Sequence, residues 1–545
     1  MCGIALIAGP GASEAVFGQM LAALKPRGEV QGVSLAGGLL TGTQRLRTVD
    51  PQRAVQPWVS RDARWLLCFN GEIFNHRSLR HELRQLGRQL RTDSHTEVVI
   101  EAFSHWGERA VRRMRGEFAF VIAERSSGHT YLARDPLGVK PLYWSAGGGC
   151  LHVASEIKAL LPAGAPIREV PPGSHGWASA GRKPRLERYS DLLSLRASDV
   201  DGTFTDAAEA AAMVRATLLD SIRVRLDTRL TVGVILSGGV DSSLILAHVR
   251  ALHPDCVAVT VGAPGSDDLA YARRFAAELG VPHEVIEITP REIRLAEIRE
   301  AIRISELTEY GDIINAVVSV PLFRRIASLG IKVVLTGDGS DELFGGYRMY
   351  DQIGPAQLDR LFLHKIANLG RTELQRVDRT SMASGVEARV PFLDPAVVSV
   401  AMRMPMSLKV RHGTDKWILR QAFADLLPDY VTRRPRNPMS YASGLHERAA
   451  MYKPMFARIH RSLGYDLHEP VRKDFSVLLA QCGNDLDLAI GRAAARLDYS
   501  SRELAKDLTG VVRWHAKSLV GSLAPHRPGP QSPWAPGGSR ATVHG

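Results

Sequence analysis

The sequence is poor in the residues that build disulfide frameworks and zinc sites. Its 545 residues include five cysteines, no two of which form a Cys-x-x-Cys pair: Cys2, Cys68, Cys150, Cys256 and Cys482. An odd number of cysteines at scattered positions argues against both a disulfide framework and a zinc site. We therefore expect a protein of a reducing, cytoplasmic compartment.

Long apolar runs are equally scarce. The beginning of the chain has no basic segment, and its apolar run ends at Gly9-Pro10-Gly11. No later stretch approaches the roughly 18 apolar residues of a membrane span. We predict a protein that is neither secreted nor associated with a membrane.

An excess of acidic residues is also lacking, because 69 lysines and arginines face 57 aspartates and glutamates and leave a net charge of +12. Such a positive surplus is typical of a protein that binds nucleic acid, of one that binds anionic substrates, or of one in which charge serves solubility alone. The basic residues are scattered arginines without interleaved aromatic residues, so we expect no nucleic-acid partner. A non-catalytic binding protein remains an alternative, which salt-dependent binding to a random duplex would support.

The hydrophobic pattern changes along the chain and predicts its organisation. Residues 1–190 alternate short β-type runs with turns and two helical stretches, which predicts a layered α+β domain. A polar linker follows at 191–205. Residues 206–520 alternate strands and helices, which predicts a doubly wound parallel sheet with extra helices and with ligands at the carboxyl ends of its strands. Residues 521–545 are rich in proline and glycine and are predicted to be disordered.

A glycine-rich loop follows an apolar strand in the second region. Residues 230–236 lead directly into Ser237-Gly238-Gly239-Val240-Asp241-Ser242-Ser243, which opens a helix. Glycines let the backbone wrap around an anion, and the helix N-terminus and the hydroxyls supply donors to it. Asp241 offers a carboxylate to Mg²⁺. An ordinary strand–helix turn is the alternative for such a short motif.

A second loop combines glycines with carboxylates. Residues 336–347 again follow a strand and place Asp338, Asp341 and Glu342 beside four glycines. It is costly to bury that many carboxylates in a packed core, whereas at a site for Mg²⁺ and pyrophosphate they can coordinate the metal. The loop is therefore predicted to complete a nucleotide site.

The chain begins with a candidate nucleophile. Removal of Met1 would leave both a thiol and a free α-amine on Cys2, and the α-amine can act as the base for the thiol. Asn70-Gly71 follows a strand and offers an amide side chain and a turn N–H, the donor pair of an oxyanion hole. A simple Asn-Gly hairpin turn is the alternative for this dipeptide.

Several strings together resemble known families. Residues 2–4, 69–75, 116–120, 134–143 and 154–160 resemble the class II glutamine amidotransferase domain, and the 237–243 loop resembles the pyrophosphate loop of N-type ATP pyrophosphatases. With further matches at 262–269, 378–382, 385–394 and 416–420, both halves in this order resemble the glutamine-hydrolysing asparagine synthetase family from Cys2 to about Met439. The resemblance implies an αββα N-terminal nucleophile hydrolase domain before the ATP pyrophosphatase domain.

The resemblance also implies a reaction and a set of site residues. The thiolate releases ammonia from glutamine, and the ammonia crosses an internal tunnel to a carboxylate that ATP has activated as an adenylate. The resemblance implies catalytic roles for five residues: Cys2, Asn70, Gly71, Asp338 and Arg436. It places Arg45, Glu72 and His95 at the glutamine, and Tyr347 and Glu387 on the acceptor side.

For the nucleotide, the same resemblance implies ATP and Mg²⁺. Asp241 and Asp341 would hold the metal, which neutralises charge on the departing pyrophosphate. The residues placed around ATP are Leu236, Ser237, Gly238, Gly239, Asp241, Ser242, Ser243, Val261, Thr336 and Gly337.

The departures from the family pattern concern both substrates. Residues 94–97 read Ser-His-Thr-Glu, with His95 where the family has the aspartate that pairs with the glutamine α-ammonium, so the donor is glutamine or a glutamine derivative. On the acceptor side, residues 317–319 read Val-Val-Ser in place of Arg-Ala-Ser, and Arg436 replaces a lysine. We predict a carboxylic acid other than aspartate, from specialised metabolism, as the acceptor. Alternatively, Arg348 or Arg389 supplies the missing charge.

Two further points stay open in the sequence. One alternative is an amide or lactam synthetase that works without ammonia and carries a vestigial glutaminase domain, although the intact Cys2 argues against it. A homodimer is possible, and the sequence gives no signal for or against it.

Overall fold

The computed structural model describes residues 1–50, 52–192, 204, 206–347, 349–435, 449, 451–463, 482, 483, 485 and 487–489. All of them belong to one compact unit, Met1–Leu497. The predicted tail at 521–545, most of the predicted linker and Arg436 lie outside the described residues. Within the described part, no helix is long and apolar enough to cross a membrane.

The first half contains two antiparallel sheets that lie face to face. Their strands, in chain order, are β1 Cys2–Ala8, β2 Val30–Ala36, β3 Leu39–Arg45, β4 Trp58–Val59, β5 Trp65–Ile73, β6 Gly116–Glu124, β7 Thr130–Arg134, β8 Tyr143–Gly147, β9 Cys150–Ala154, β10 Ile167–Glu169, β11 Ser174–Ala178 and β12 Arg185–Arg188. One sheet has the order β10-β8-β9-β1-β3-β2 and the other β12-β11-β7-β6-β5-β4.

Helices cover the outer faces of both sheets. They are α1 Glu14–Leu24, α2 His76–Gln85, α3 His95–Trp106 and α4 Ile157–Leu160. α1 packs on β1 and β3, whereas α3 packs on β5. β1 and β5 are buried on both faces because each is sandwiched between the opposite sheet and a helix. The predicted αββα layering is confirmed, and it brings the carboxyl-terminal part of β5 near the chain's first residues.

The second half is built on a parallel sheet. Its strands are β13 Val232–Ile235, β14 Cys256–Gly262, β15 His283–Glu287, β16 Val333–Leu335 and β17 Glu387–Arg389, in the order β15-β14-β13-β16-β17. The chain runs outward from β13 to β15 and then returns to β16 on the other side of β13. The loops after β13 and β16 therefore meet at the topological switch point, where doubly wound sheets bind ligands.

Helices surround this sheet and extend the domain. Their bounds are α5 Ala207–Val224, α6 Val240–Leu252, α7 Asp267–Glu278, α8 Leu295–Ser305, α9 Tyr310–Ser328, α10 Ser340–Phe344, α11 Met349–Gln352, α12 Pro355–Asn368, α13 Glu373–Met382, α14 Pro395–Arg403, α15 Met406–Lys409, α16 Trp417–Ala422, α17 Asp429–Thr432 and α18 Phe456–Ser462. The predicted doubly wound sheet with extra helices is confirmed.

Buried ion pairs join the two halves. Arg27, which is 1% exposed, donates to Glu156 at 2.7 Å and to Asp378 of the second half at 2.8 Å. Arg225 of the second half likewise donates to Glu117 of the first half at 2.9 Å. Buried charges are tolerated only when they are paired and hydrogen-bonded, so these contacts fix how the halves meet.

Candidate active sites

The predicted nucleophile is buried at the start of β1. Cys2 is 4% exposed, and its backbone N–H donates to Asn70 Oδ1 at 2.9 Å. Burial raises the pKa of the Cys2 thiol, and the neighbouring chain-terminal ammonium only partly offsets this rise. The structure thus brings Cys2 and Asn70 together, as predicted from sequence, although they are 68 residues apart.

Asn70 and Gly71 have the features that an oxyanion hole requires. Asn70 is fully buried, and its amide nitrogen has no hydrogen-bond partner among the described residues. Gly71 has φ +145°, and a Cβ there would lie 2.1 Å from the Glu117 carbonyl oxygen. A buried amide without a partner is costly unless a ligand uses it, which favours an oxyanion at this point.

A small pocket of about 40 Å³ opens beside Cys2. Among its described lining residues are the three predicted to bind glutamine, Arg45, Glu72 and His95. Nδ1 of His95 lies 2.5 Å from Oε2 of Glu72 and also accepts a hydrogen bond from the Ile73 backbone N–H at 3.2 Å. Glu72 is therefore already in contact with His95 before a donor enters.

The same pocket contains a residue that sequence reasoning missed. Gln56 is buried, and its amide nitrogen lies 3.6 Å from the Cys2 sulfur and 3.4 Å from Thr96 Oγ1. Its carbonyl oxygen accepts a hydrogen bond from the Phe69 backbone at 2.7 Å, which fixes its orientation. Gln56 belongs to no motif, so only the fold reveals its position against the nucleophile.

A second cavity, of about 220 Å³, lies at the switch point of the parallel sheet. Of the residues predicted to bind ATP, its described lining includes Ser237, Gly239, Asp241, Ser242, Thr336 and Gly337. It does not include Leu236, Gly238, Ser243 or Val261. Leu236 and Ser243 are instead buried in the packing beneath the loop, and Gly238 has φ +71° and packs on Tyr271.

The two predicted metal ligands share a lysine. The ammonium of Lys416 contacts Asp241 and lies 2.5 Å from Asp341. Burial raises the pKa of Asp241, and the charge of Asp341 adds to this rise. Two carboxylates that repel each other at the mouth of a glycine-rich loop are a donor set suited to Mg²⁺. Lys416 lies in residues 416–420, one of the strings that resemble the family, but no role was predicted for it.

Gly346 makes this arrangement possible. A Cβ on Gly346 would lie 1.9 Å from Asp341 Oδ1 and 2.5 Å from Lys416 Cε. No side chain fits between the carboxylate and the lysine. The glycine in the second loop therefore serves close packing rather than a turn.

Acidic side chains dominate the far end of the cavity. Arg376 donates to Asp338 at 2.5 Å, to Glu373 at 2.7 Å and to Ser319 at 3.2 Å. The Tyr347 hydroxyl donates to Glu342. Burial raises the pKa of Glu342 to about 7, and the charge of Glu373 contributes to this rise.

Glu387, which was predicted on the acceptor side, lies at the boundary between the two halves, and its predicted role stays a prediction. Glu387 does not line the cavity in the described structure; it accepts a hydrogen bond from the Met1 ammonium at 3.0 Å and another from Arg389 at 2.7 Å. Although burial opposes it, these two cations hold the pKa of Glu387 low. β17 pairs with the edge of β16 and directs Glu387 toward the boundary between the halves, and Glu342 takes the place beside Tyr347.

Arg389, one of the arginines proposed to supply a cation, does not line the described part of the cavity. Arg389 lies 3.7 Å from Glu72 and pairs with Glu387 at the boundary between the halves. Arg348 and Arg436 lie outside the described residues, so their predicted roles stay predictions.

Comparison with known proteins agrees with this geometry. One family model, described as a glutamine amidotransferase domain, matches residues 1–171, and another, described as asparagine synthase, matches residues 213–355 and 351–477. Glutamine-hydrolysing asparagine synthetase B of Escherichia coli K12 is 34% identical over 434 residues, which cover 76% of each chain. Asparagine synthetase 3 of Arabidopsis thaliana is 32% identical over 460 residues, covering 79% of this chain and 77% of that protein.

Fold and sites together define a class: an N-terminal nucleophile glutamine amidotransferase domain joined to an ATP pyrophosphatase domain. The chain belongs to the family of glutamine-hydrolysing asparagine synthetases. Members of this family are ligases that form a C–N bond and convert ATP to AMP and pyrophosphate, and the protein is an ATP-dependent amidotransferase of this kind.

Proposed function

We propose that this protein amidates a carboxylic acid other than aspartate, with ammonia taken from glutamine or a glutamine derivative. The observation that carries the proposal is the pairing of every described cation around the 220 Å³ cavity with a carboxylate of the protein itself. Different observations support the donor, nucleotide and acceptor sides of this reaction.

On the donor side, Cys2 would be the nucleophile. After removal of Met1, its α-amine, with a pKa near 8, takes the thiol proton, and the sulfur attacks the carboxamide carbon. The C–N bond breaks, the proton passes to the leaving nitrogen, and ammonia departs. Water then cleaves the thioester to a carboxylic acid and restores the thiol. The hydrogen bond from the Cys2 nitrogen to Asn70 orients the base, and the Asn70 amide nitrogen stabilises the oxyanion.

Met1 itself supports an internal route for the ammonia. Its side chain packs between Leu46 of the first half and Met382 of the second, and its ammonium contacts Glu387 of the second half. Loss of Met1 would therefore open space beside Cys2 that reaches the synthetase half. Ammonia that follows this route stays away from bulk water and remains unprotonated.

On the nucleotide side, the glycine loop and α6 would bind the phosphates of ATP. Ser237 and Ser242 supply hydroxyls, and the first turn of α6 supplies backbone N–H groups. An acceptor oxygen attacks the α-phosphorus and pyrophosphate leaves; ammonia then attacks the acyl carbon and AMP leaves. Asp241 and Asp341 would hold Mg²⁺, which neutralises the charge of the departing pyrophosphate.

On the acceptor side, the described cations are already committed. Arg376 binds Asp338 and Glu373, Arg420 binds Asp415 at 2.9 Å, and Arg434 binds Asp268. Aspartate would bring a second carboxylate in addition to the one that is activated. A second carboxylate without a free cation would be desolvated unpaired, which is costly. An acceptor with a single carboxylate avoids this penalty.

An ATP–pyrophosphate exchange screen tests the acceptor. Full-length protein is incubated with MgATP, labelled pyrophosphate and single carboxylic acids, with aspartate in the same series. The proposal predicts exchange with one or more monocarboxylic acids and none above background with aspartate. Exchange that is fastest with aspartate would refute the proposal.

A further inference from the structure

The donor pocket shares lining residues with a much larger basic groove. With Met1 in place, the pocket of about 40 Å³ has room for a group the size of about three water molecules, such as a carboxamide. Thr48 and Val49 line both this pocket and a groove of about 1080 Å³. The part of a donor that extends beyond its carboxamide therefore has a wide space available on this side.

The pocket offers no uncommitted anion to a donor. Among its described lining residues, Glu72 is the only carboxylate, and it is paired with His95 at 2.5 Å. Thr48 also donates to Glu72 at 3.4 Å, and Arg389 approaches it at 3.7 Å. An α-ammonium group would have to compete with these partners. An acylated α-nitrogen carries no charge and needs no such partner.

The groove has a surplus of positive charge. Its described lining includes six arginines and three aspartates: Arg47, Arg53, Arg77, Arg80, Arg84, Arg229, Asp50, Asp93 and Asp227. Arg77 pairs with Asp227 at 2.6 Å, and Arg47 pairs outside the groove with Glu29 at 2.9 Å. Burial lowers the pKa of His76, which also lines the groove, to about 4, so this histidine adds no charge at neutral pH.

Two of these arginines are available to a ligand. The side chains of Arg84 and Arg229 are exposed and form no ion pair or hydrogen bond with any residue that the structure describes. They come from different halves of the chain, one from α2 and the other from the segment before β13. Two uncommitted guanidinium groups beside one groove favour an anionic ligand.

We propose that the preferred nitrogen donor is a glutamine whose α-nitrogen is acylated by an acidic segment, as in a short peptide that ends in glutamine after acidic residues. The carboxamide enters the pocket, Arg45 takes the terminal carboxylate, and the acidic residues lie in the groove against Arg84 and Arg229. This inference rests on the proposed glutamine hydrolysis at Cys2. The reaction is unchanged: one water is consumed, and the peptide's carboxamide becomes a carboxylic acid plus ammonia.

Ammonia release from four donors tests the inference. Full-length protein with Met1 removed is supplied with glutamine, N-acetylglutamine, Asp-Asp-Gln and Lys-Lys-Gln. The expected order of kcat/KM is Asp-Asp-Gln, then N-acetylglutamine, then glutamine, with Lys-Lys-Gln below N-acetylglutamine. Two exposed ion pairs give Asp-Asp-Gln an advantage of about tenfold over N-acetylglutamine.

A pair of charge-matched variants separates the groove from general charge effects. R84E/R229E should remove the advantage of Asp-Asp-Gln and leave kcat/KM for N-acetylglutamine unchanged, whereas R182E/R185E, at two exposed arginines elsewhere, should preserve that advantage. If both variants lose it alike, or if free glutamine is used better than the acylated donors, the inference is overturned and the proposed function stands. If none of the four donors releases ammonia, the proposed function itself fails.

Discussion

Asn70 is the residue whose role the structure defines most sharply. Its side chain holds the Cys2 nitrogen through Oδ1, while its buried amide nitrogen has no partner among the described residues. In the proposed mechanism, the oxygen of this amide orients the base and its nitrogen stabilises the developing oxyanion. The sequence located Asn70 through a short motif but could not show which atom does what.

Replacing Asn70 should therefore impair the chemical step. We expect Asn70→Ala to lower kcat for glutamine hydrolysis by about 10²–10³, because one oxyanion-hole donor is lost. The matched control is Asn75→Ala, since the described hydrogen bonds of the Asn75 side chain go to backbone groups at residues 113 and 115, and Asn75 does not line the described pocket. Glutamate release measured over a range of glutamine concentrations checks the prediction, and an unchanged kcat in Asn70→Ala would contradict it.

Glu342 should make stability depend on pH. Its pKa is raised to about 7 in the folded protein, above its ordinary value of 4.5, mainly by burial. Between these values the folded state holds a proton that the unfolded state has lost, so stability falls as the pH rises through this window. Glu342→Gln should reduce the loss of stability over this pH range.

Urea unfolding at pH 5 and pH 7.5 checks this pH dependence. The control is Glu209→Gln, which removes an exposed carboxylate on α5 and should keep the wild-type pH dependence. If Glu342→Gln loses as much stability between the two pH values as the wild type does, the raised pKa is refuted.

At the level of elements, the sequence predicted most of the architecture. The hydrophobic pattern predicted short strands in the first half and alternating strands and helices in the second, including the strand before the glycine loop, because burial leaves a clear hydrophobic signal. The three-residue β17, Glu-Ala-Arg, carries no such signal and was not predicted. α16 ends at Ala422, because Phe423 leaves the helical conformation.

The site residues that the sequence missed share one cause. Gln56, Arg376 and Lys416 come from segments distant in sequence from the loops that they contact. Lys416 lies in a string that resembles the family, but no local pattern shows what any of the three contacts. Their positions follow from how β5, α13 and α16 pack, which no local pattern encodes. The contacts of Glu387 could not be predicted for the same reason, since its motif did not reveal which way β17 faces.

The second loop should tolerate no side chain at Gly346. Gly346→Ala would drive a methyl group into Asp341 and Lys416, so we expect ATP–pyrophosphate exchange to fall to background while glutamate release persists. Gly354→Ala is the matched control, because a Cβ there meets no atom within 4 Å. Normal exchange in Gly346→Ala would show that the packing of these two side chains is unimportant for activation.

At the scale of the whole molecule, buried ion pairs fix the two halves in one relative position. Arg27 alone links Glu156 of the first half to Asp378 of the second, and although burial opposes it, Arg27 holds the pKa of Asp378 well below its usual range. No sequence motif singles out Arg27. Its structural role could not be predicted because its partners lie 129 and 351 residues away.

Loss of this link should destabilise the protein strongly. We expect Arg27→Met to lower the free energy of unfolding by about 3–5 kcal/mol, because two carboxylates are left buried without their cation. Arg273→Met breaks an exposed pair with Glu287 and should cost less than about 1 kcal/mol. Chemical unfolding of the three proteins at pH 7 compares them, and equal losses in the two variants would contradict this role.

The central claim is that nitrogen released at Cys2 is joined to a carboxylic acid activated by ATP at the 237–243 loop. The most direct measurement follows glutamate and AMP in one reaction with MgATP, the accepted donor and an acid identified by the exchange screen. The account predicts that glutamate and AMP form in parallel, that Cys2→Ala abolishes both, and that added ammonia restores AMP alone. AMP formation by Cys2→Ala that is undiminished without ammonia would contradict the account, because the first domain would then supply no nitrogen.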